Sequence, residues 1–137
     1  MKLAHVSDTF AVSAQLEPCD MRGLANAGFS TVICNRPDGE EPSQPAVASM
    51  REAAEAVGLA FHHIPVSGGE FPEVAIEAFA KAREETDGKV LAFCRTGTRS
   101  ITLDALANIE NEAADERIER AKRAGYDLSG LRDRLGE

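Results

Sequence analysis

The sequence is poor in positive charge, with 15 lysine and arginine residues against 23 aspartate and glutamate residues and a formal net charge of −8. A charge of that sign argues against nucleic acid or an anionic membrane surface as a partner, and it mainly promotes solubility. Long apolar runs are also missing, since no stretch approaches the roughly 20 residues that cross a bilayer. Residues 1–5 lack the apolar segment of a signal peptide, so the sequence predicts a cytoplasmic protein.

Cysteine is scarce as well, and the three cysteines, Cys19, Cys34 and Cys94, lie far apart. An odd number of cysteines without CxxC spacing predicts neither a disulfide framework nor a zinc site. Nothing in the sequence calls for a metal or an organic cofactor. Because 43% of the 137 residues are hydrophobic, the chain is long and apolar enough for one core, and we expect a single domain over 1–137.

Short apolar runs alternate with helix-like segments of ten or more residues along most of the chain. Such alternation implies crossover connections, and hence an α/β fold with a mainly parallel central sheet flanked by helices on both faces. Functional side chains are then expected in the loops that follow the strands, at 35–42, 67–71 and 94–100. The predicted strands cover 3–7, 10–13, 31–34, 60–66 and 89–93, and the predicted helices cover 21–27, 46–57, 73–85, 101–108, 113–124 and 128–135.

Cys94 stands directly after the apolar run Val90–Phe93, and a turn containing Gly97 precedes the next predicted helix. This order places a thiolate at the carboxyl end of a buried strand, facing backbone amides and a helix N-terminus, both of which stabilise anions. Arg99 is suited to contact an oxyanion with two donors. We therefore predict an anion site with Cys94 and Arg99 as catalytic residues. The anion-binding loop also includes Arg95, Thr96, Gly97, Thr98 and Ser100, and Ser100 is a candidate donor to the thiolate.

The loop after the predicted strand 31–34 supplies accessory candidates. Arg36 is a candidate for holding an anionic substrate and Asp38 for orienting it, with Asn35 beside them. The same turn-rich sequence is equally typical of a plain loop. Cys34 is either a small core residue or a second thiol able to form a disulfide with Cys94.

Three segments together resemble a known family: Asn35–Glu41, His63–Val66 and Cys94–Ser100. They are similar to the beta-lactamase hydrolase-like, phosphatase-like domain family of bacteria, and the likeness extends to the tail at 124–128. The resemblance implies the fold of tyrosine and dual-specificity phosphatases. Members of the family occur alone or fused to sulfur-metabolising dioxygenase or rhodanese modules, so a sulfur-metabolising enzyme is a candidate partner.

Three features depart from the pattern of those phosphatases. Four residues separate Cys94 from Arg99, where the phosphatases have five. Phe93 stands where they usually have a histidine, and Glu70 is the only acid in the loop that carries their aspartate general acid. The loop from Cys94 to Ser100 also resembles the active-site loop of single-domain rhodaneses, and a smaller cradle suits a sulfur atom better than a phosphoryl group.

Sulfur transfer is the first interpretation of these features. Cys94 attacks the sulfane sulfur of thiosulfate or a persulfide, Arg99 and Arg95 hold the anionic leaving group, and a second thiol accepts the sulfur. The alternative is a phosphatase in which Cys94 forms a phosphocysteine, Arg99 binds the phosphate, and Glu70 or Asp38 serves as the acid. A third interpretation is a non-catalytic sensor of anions or persulfides. In each case the ligand is a small anion.

Overall fold

Five strands form one sheet in the computed structural model, which describes residues 1–136. β1 pairs antiparallel with β2, and every other pair of neighbours is parallel. The predicted α/β fold with a mainly parallel sheet is confirmed. The strands are β1 (Ala4–Ser7), β2 (Phe10–Ser13), β3 (Phe29–Cys34), β4 (Ala60–His63) and β5 (Lys89–Phe93), in the spatial order β1-β2-β5-β3-β4.

Helices cover both faces of the sheet. Side chains alternate between the two faces of a strand, so Leu91 and Phe93 of β5 pack with the first two helices, while Val90 and Ala92 pack with the other three. All four side chains are buried, as expected for a central strand of a parallel sheet. Within residues 1–136, no helix is both long and apolar enough to cross a membrane. The helices are α1 (Met21–Asn26), α2 (Val47–Ala56), α3 (Glu73–Glu85), α4 (Thr98–Ala107) and α5 (Ala114–Arg123).

A buried ion pair joins α3 to α4. Arg83 Nη1 contacts Asp104 Oδ1, and the guanidinium carbon of Arg83 lies 4.3 Å from the centre of the Phe10 ring in β2. Burial raises the pKa of Asp104 to about 6, although the charge of Arg83 opposes that shift. The pair therefore fixes α3 and α4 against the same face of the sheet, and the side chain of Asp104 is largely buried.

Three predicted elements differ from the structure by three residues or more, and the others agree to within two residues at each end. β4 ends at His63, three residues earlier than predicted, although the backbone N–H groups of Ile64 and Val66 still donate to the carbonyls of Cys34 (2.9 Å) and Asn35 (3.1 Å) beyond the end of the strand. α4 begins at Thr98, inside the predicted loop, because Gly97 adopts a φ of 97° that turns the chain directly into the helix. The tail predicted as a helix over 128–135 forms a 3-10 turn at Ser129–Leu131, where a glycine at its centre disfavours a longer helix.

Candidate active site

Cys94 lies at the carboxyl end of the central strand β5 and is fully buried. Its backbone N–H donates to the carbonyl of Ser13 at the end of β2 (3.4 Å). Its Sγ accepts a hydrogen bond from the backbone N–H of Gly97 (3.1 Å). The sulfur therefore faces a backbone amide next to the start of α4, which is an arrangement that stabilises a negative charge.

Arg99, in the first turn of α4, is held by a glutamate that the sequence did not single out. Arg99 Nη1 donates to Glu40 Oε2 (2.9 Å) and to the carbonyl of Val66 (2.9 Å), and Nη2 donates to Glu40 Oε1 (2.9 Å). The hydrogen bonds with Glu40 raise the pKa of Arg99, and the nearby Cys94 thiolate acts in the same direction. The carboxylate of Glu40 thus fixes the plane of the guanidinium.

One edge of the Arg99 guanidinium faces away from these partners. A guanidinium carries five N–H groups, and the contacts with Glu40 and Val66 use two on Nη1 and one on Nη2. Within residues 1–136, no side-chain or backbone oxygen accepts from the edge formed by Nε and the second N–H of Nη2. Because this edge matches two oxygens of an oxyanion, Arg99 retains a place for a ligand while Glu40 holds it.

Arg36 supports Glu40 from the other side. It is 2% exposed, and its Nε donates to Glu40 Oε1 (2.8 Å). Its Nη1 donates to Gln15 Oε1 (3.0 Å) and its Nη2 to Glu41 Oε1 (2.7 Å). Arg99 and Arg36 together lower the pKa of Glu40 to about 2, and Arg99 has the larger effect. This placement differs from the predicted substrate contact, since the guanidinium of Arg36 is committed to protein partners.

Asn35 joins the loop after β3 to the segment after β4 and to the loop from Cys94 to Ser100. Its Nδ2 donates to the carbonyl of Ile64 after β4 (2.8 Å), and its backbone N–H donates to the carbonyl of Phe93 (2.8 Å). Its Oδ1 accepts a hydrogen bond from Ser100 Oγ (2.8 Å). Ser100 therefore donates to Asn35, whereas the sequence suggested the thiolate as its acceptor. The amide of Asn35 sets the start of α4 against the ends of β4 and β5.

Three predicted residues lie at the edge of this arrangement. Asp38 Oδ1 accepts from the backbone N–H of Val47 (3.1 Å), so the carboxylate caps the N-terminus of α2. The side chain of Arg95 is 62% exposed, and its Nε lies 3.7 Å from Glu41 Oε2. Glu70 is exposed in the loop before α3. The contacts of Asp38 are those of a helix cap, which differs from the predicted orienting role.

Cys34 has the surroundings of a core residue. It ends β3 beside Phe93 of β5, and its Sγ donates to the carbonyl of Arg36 (3.5 Å). Burial raises the pKa of the Cys34 thiol to about 11, so the thiol is protonated at neutral pH. His63 Nε2 lies 2.9 Å from the same carbonyl. Among residues 1–136, no three His, Cys, Asp or Glu side chains are grouped closely enough to hold a metal ion.

The loop from Cys94 to Ser100 also contacts Tyr126, which the site prediction did not include. The Tyr126 hydroxyl donates to the carbonyl of Thr96 (2.9 Å), and Thr96 Oγ1 donates to Thr98 Oγ1 (3.1 Å). Burial raises the pKa of Tyr126, and the charge of Cys94 adds to that rise. Tyr126 follows α5, far from the loop in sequence, and the sequence offers two signals for it: it is the only tyrosine, and it lies in the tail at 124–128 to which the family resemblance extends.

The profile of a family described as beta-lactamase hydrolase-like protein, phosphatase-like domain, matches residues 2–111. The chain belongs to this family. Two curated beta-lactamase hydrolase-like proteins are among its relatives: one from Agrobacterium fabrum is 38% identical over 134 residues, and one from Xylella fastidiosa strain Temecula1 is 36% identical over 130 residues. Each match covers 93% of this chain and 30% of the relative, so the phosphatase-like domain spans about 30% of the length of those proteins.

Solved structures share the fold of this phosphatase-like domain. The crystal structure of a candidate phosphatase from Neisseria meningitidis Z2491 is 37% identical, with a TM-score of 0.86 over 99% of this chain and 97% of that one. A candidate protein tyrosine phosphatase from Leishmania major is 14% identical, with a TM-score of 0.74 over 100% and 98% of the two chains. The fold is therefore that of the protein tyrosine phosphatases, as the resemblance implied.

Proposed function

We propose that this phosphatase-like domain is a cysteine-dependent phosphatase that hydrolyses phosphate monoesters through a phosphocysteine on Cys94. The observation that carries the proposal is the meeting of three groups at the carboxyl end of β5. Cys94 Sγ accepts from the Gly97 amide, and the neighbouring Arg99 is held by Glu40 with one edge available to an oxyanion. Nucleophile, amide and bidentate cation are the parts that phosphoryl transfer to sulfur requires.

The reaction proceeds in two displacements. The Cys94 thiolate attacks phosphorus, a sulfur–phosphorus bond forms, and the ester oxygen leaves with the electron pair of the broken phosphorus–oxygen bond. Arg99 and the loop amides hold the phosphoryl oxygens as charge shifts onto them. Water then attacks phosphorus, releasing inorganic phosphate, one proton to solvent and the regenerated thiolate.

Protonation of the leaving ester oxygen is the step that the carboxyl groups of the site support least. Glu40 is the carboxylate that contacts Arg99, and its pKa of about 2 keeps it ionised, so it has no proton to give near neutral pH. Asp38 caps α2, and Glu70 is exposed in its loop. General acids contribute about 10²–10⁴-fold to such reactions. We therefore expect aryl esters, whose leaving groups are stable anions, to be the better substrates.

The decisive experiment compares phosphate release from p-nitrophenyl phosphate and phenyl phosphate by the protein and by its Cys94→Ser variant. We expect turnover of the nitrophenyl ester, at least about 10²-fold slower turnover of the phenyl ester because its leaving group needs a proton, and no turnover by Cys94→Ser. No release from either ester, or equal release by Cys94→Ser, would contradict the proposal.

Sulfur transfer stays the second candidate because four residues separate Cys94 from Arg99. In that reaction the thiolate attacks the sulfane sulfur of thiosulfate, the sulfur–sulfur bond breaks, and sulfite leaves with the electron pair without needing a proton. Intact-mass measurement after incubation with thiosulfate tests it directly. A gain of one sulfur atom that Cys94→Ser does not show, and that added thiol removes, would favour transfer of sulfur over phosphate.

A further inference from the structure

We propose that Tyr126 is a positioning residue for Cys94, acting through the single peptide unit that joins Thr96 to Gly97. The inference rests on the proposed role of Cys94 as the nucleophile, and it adds a residue from outside the active-site loop to that site. Tyr126 lies after α5 and beyond residues 2–111, the part of the chain that matches the family profile.

The two ends of one peptide unit carry the connection. The Tyr126 hydroxyl donates to the carbonyl oxygen of Thr96 (2.9 Å), and the N–H of Gly97 donates to Cys94 Sγ (3.1 Å). The carbonyl of Thr96 and the N–H of Gly97 belong to the same planar amide, so they point in opposite directions. Rotation of this amide would break both hydrogen bonds together, and the Tyr126 hydroxyl therefore fixes the donor that faces the sulfur.

Glycine at position 97 makes such a restraint necessary. The φ of 97° belongs to the left-handed region, and glycine rotates between this region and others with little penalty. A side chain would restrict that rotation, but a Cβ at this position would lie 2.9 Å from Cζ of Tyr126, and closer still to its hydroxyl. The close packing of Tyr126 on Gly97 thus leaves no room for a side chain at position 97. The hydrogen bond from Tyr126 restrains the loop instead.

The hydrogen bond to the carbonyl also strengthens the donor. An amide whose oxygen accepts a hydrogen bond is polarised, and its N–H becomes a better donor, so the two bonds reinforce each other. The pKa of Tyr126 is raised by burial and by the charge of Cys94, so the phenol keeps its proton at neutral pH. Titratable groups near Cys94 include Arg99 from α4 and Cys34 from β3, with Glu40 behind Arg99. Tyr126→Phe leaves all of them in place.

The test is the pH profile of Cys94 alkylation by iodoacetamide in the full chain, resolved by peptide mass. The midpoint of the profile reports how readily the thiolate forms, and the plateau at high pH reports how freely the reagent reaches it. For Tyr126→Phe we expect the midpoint to rise by about half to one pH unit, the magnitude of one hydrogen bond, and the rate below the midpoint to fall about three- to tenfold. Exposed Cys19 serves as an internal reference and is expected not to change.

Ser129→Ala is the matched control, because Ser129 lies in the same segment and its hydroxyl bonds to Asp127 instead of the active-site loop. An unchanged midpoint in a folded Tyr126→Phe protein overturns the proposal, and so does an equal rise in Ser129→Ala. The phosphatase assay separates this result from the proposed function. If no ester is hydrolysed but the midpoint moves, the positioning role holds and the phosphatase does not. If the protein hydrolyses p-nitrophenyl phosphate, and Tyr126→Phe changes neither that turnover nor the midpoint of Cys94 alkylation, only the positioning role fails.

Discussion

At the scale of single residues, the carboxylate of Glu40 decides what Arg99 can do. Glu40 accepts hydrogen bonds from both Nη atoms of Arg99 and from Nε of the buried Arg36. A carboxylate so close to an arginine that is proposed to bind the substrate either competes with the substrate or orients the arginine for it. The geometry favours orientation, because the edge of Arg99 formed by Nε and Nη2 stays available to a second anion.

Glu40→Gln tests this assignment. The amide can accept from only one Nη atom of Arg99 and turns its own N–H₂ toward the other, so the guanidinium loses its fixed plane. Since charge-assisted hydrogen bonds contribute about 1.5–3 kcal/mol each, we expect kcat/KM for p-nitrophenyl phosphate to fall at least about tenfold, with a higher KM. The matched control is Glu41→Gln, which disturbs Arg36 without touching Arg99. A lower KM in Glu40→Gln would show that the carboxylate competes with the substrate.

At the scale of elements, the contact of α3 with α4 depends on the pair of Arg83 and Asp104. The side chains are 5% and 14% exposed, and the Arg83 guanidinium also covers the Phe10 ring. Removing one member of a buried pair leaves the other charge without its partner, which is more destabilising than removing both. The same helix α4 carries Arg99 at its other end, so the orientation of this helix matters to the site.

A double-mutant cycle of Arg83→Met and Asp104→Leu measures this coupling. We expect each single variant to lower the free energy of unfolding by about 3 kcal/mol, and the double variant to lose at least about 2 kcal/mol less than the sum. The measurement is urea unfolding at pH 7, repeated at pH 5. Below a pKa of about 6 Asp104 takes up a proton in the folded protein, so the coupling should shrink at pH 5. Strict additivity at pH 7 would contradict the assigned contact.

The elements could be predicted from the sequence more closely than the site could. The helix over 73–85 and the strand over 89–93 have the predicted bounds, because hydrophobic spacing and flanking turn residues are local signals. The bond between Glu40 and Arg99 spans 59 positions, and the one between Tyr126 and Thr96 spans 30. Such contacts depend on how loops meet after the sheet has formed, and no local pattern of residues encodes them. The family and the fold agree better with the phosphatase alternative than with the preferred prediction of sulfur transfer. That preference rested on a loop one residue shorter than the phosphatase loop, which is a local feature, whereas the family and fold are properties of most of the chain.

At the scale of the whole molecule, the strand order joins two halves of the sheet through β5. β2 pairs with β1 and β5, and β3 pairs with β4 and β5. The two strand pairs β1–β2 and β3–β4 therefore contact one another in the sheet only through the last strand in sequence. Isolated two-stranded units are marginally stable in water.

A fragment of residues 1–88, which stops before β5, is expected not to fold cooperatively. It retains four of the five strands but lacks the apolar side chains of β5 that pack on both faces of the sheet. Circular dichroism during heating should show no sigmoidal transition, whereas the full chain under the same conditions should show one. A cooperative transition in the fragment would mean that β2 and β3 pair with each other when β5 is missing.

The central place of β5 also has a consequence for protein synthesis. As the chain leaves the ribosome, four strands emerge before the one that can unite them, and pairing must wait for contacts between residues far apart in sequence. Cys94 follows that strand directly, and Arg99 and Tyr126 emerge later still. A nascent chain that ends before Tyr126 therefore carries Cys94 without its full set of contacts, and the thiol acquires those surroundings only after the last strand of the sheet has emerged.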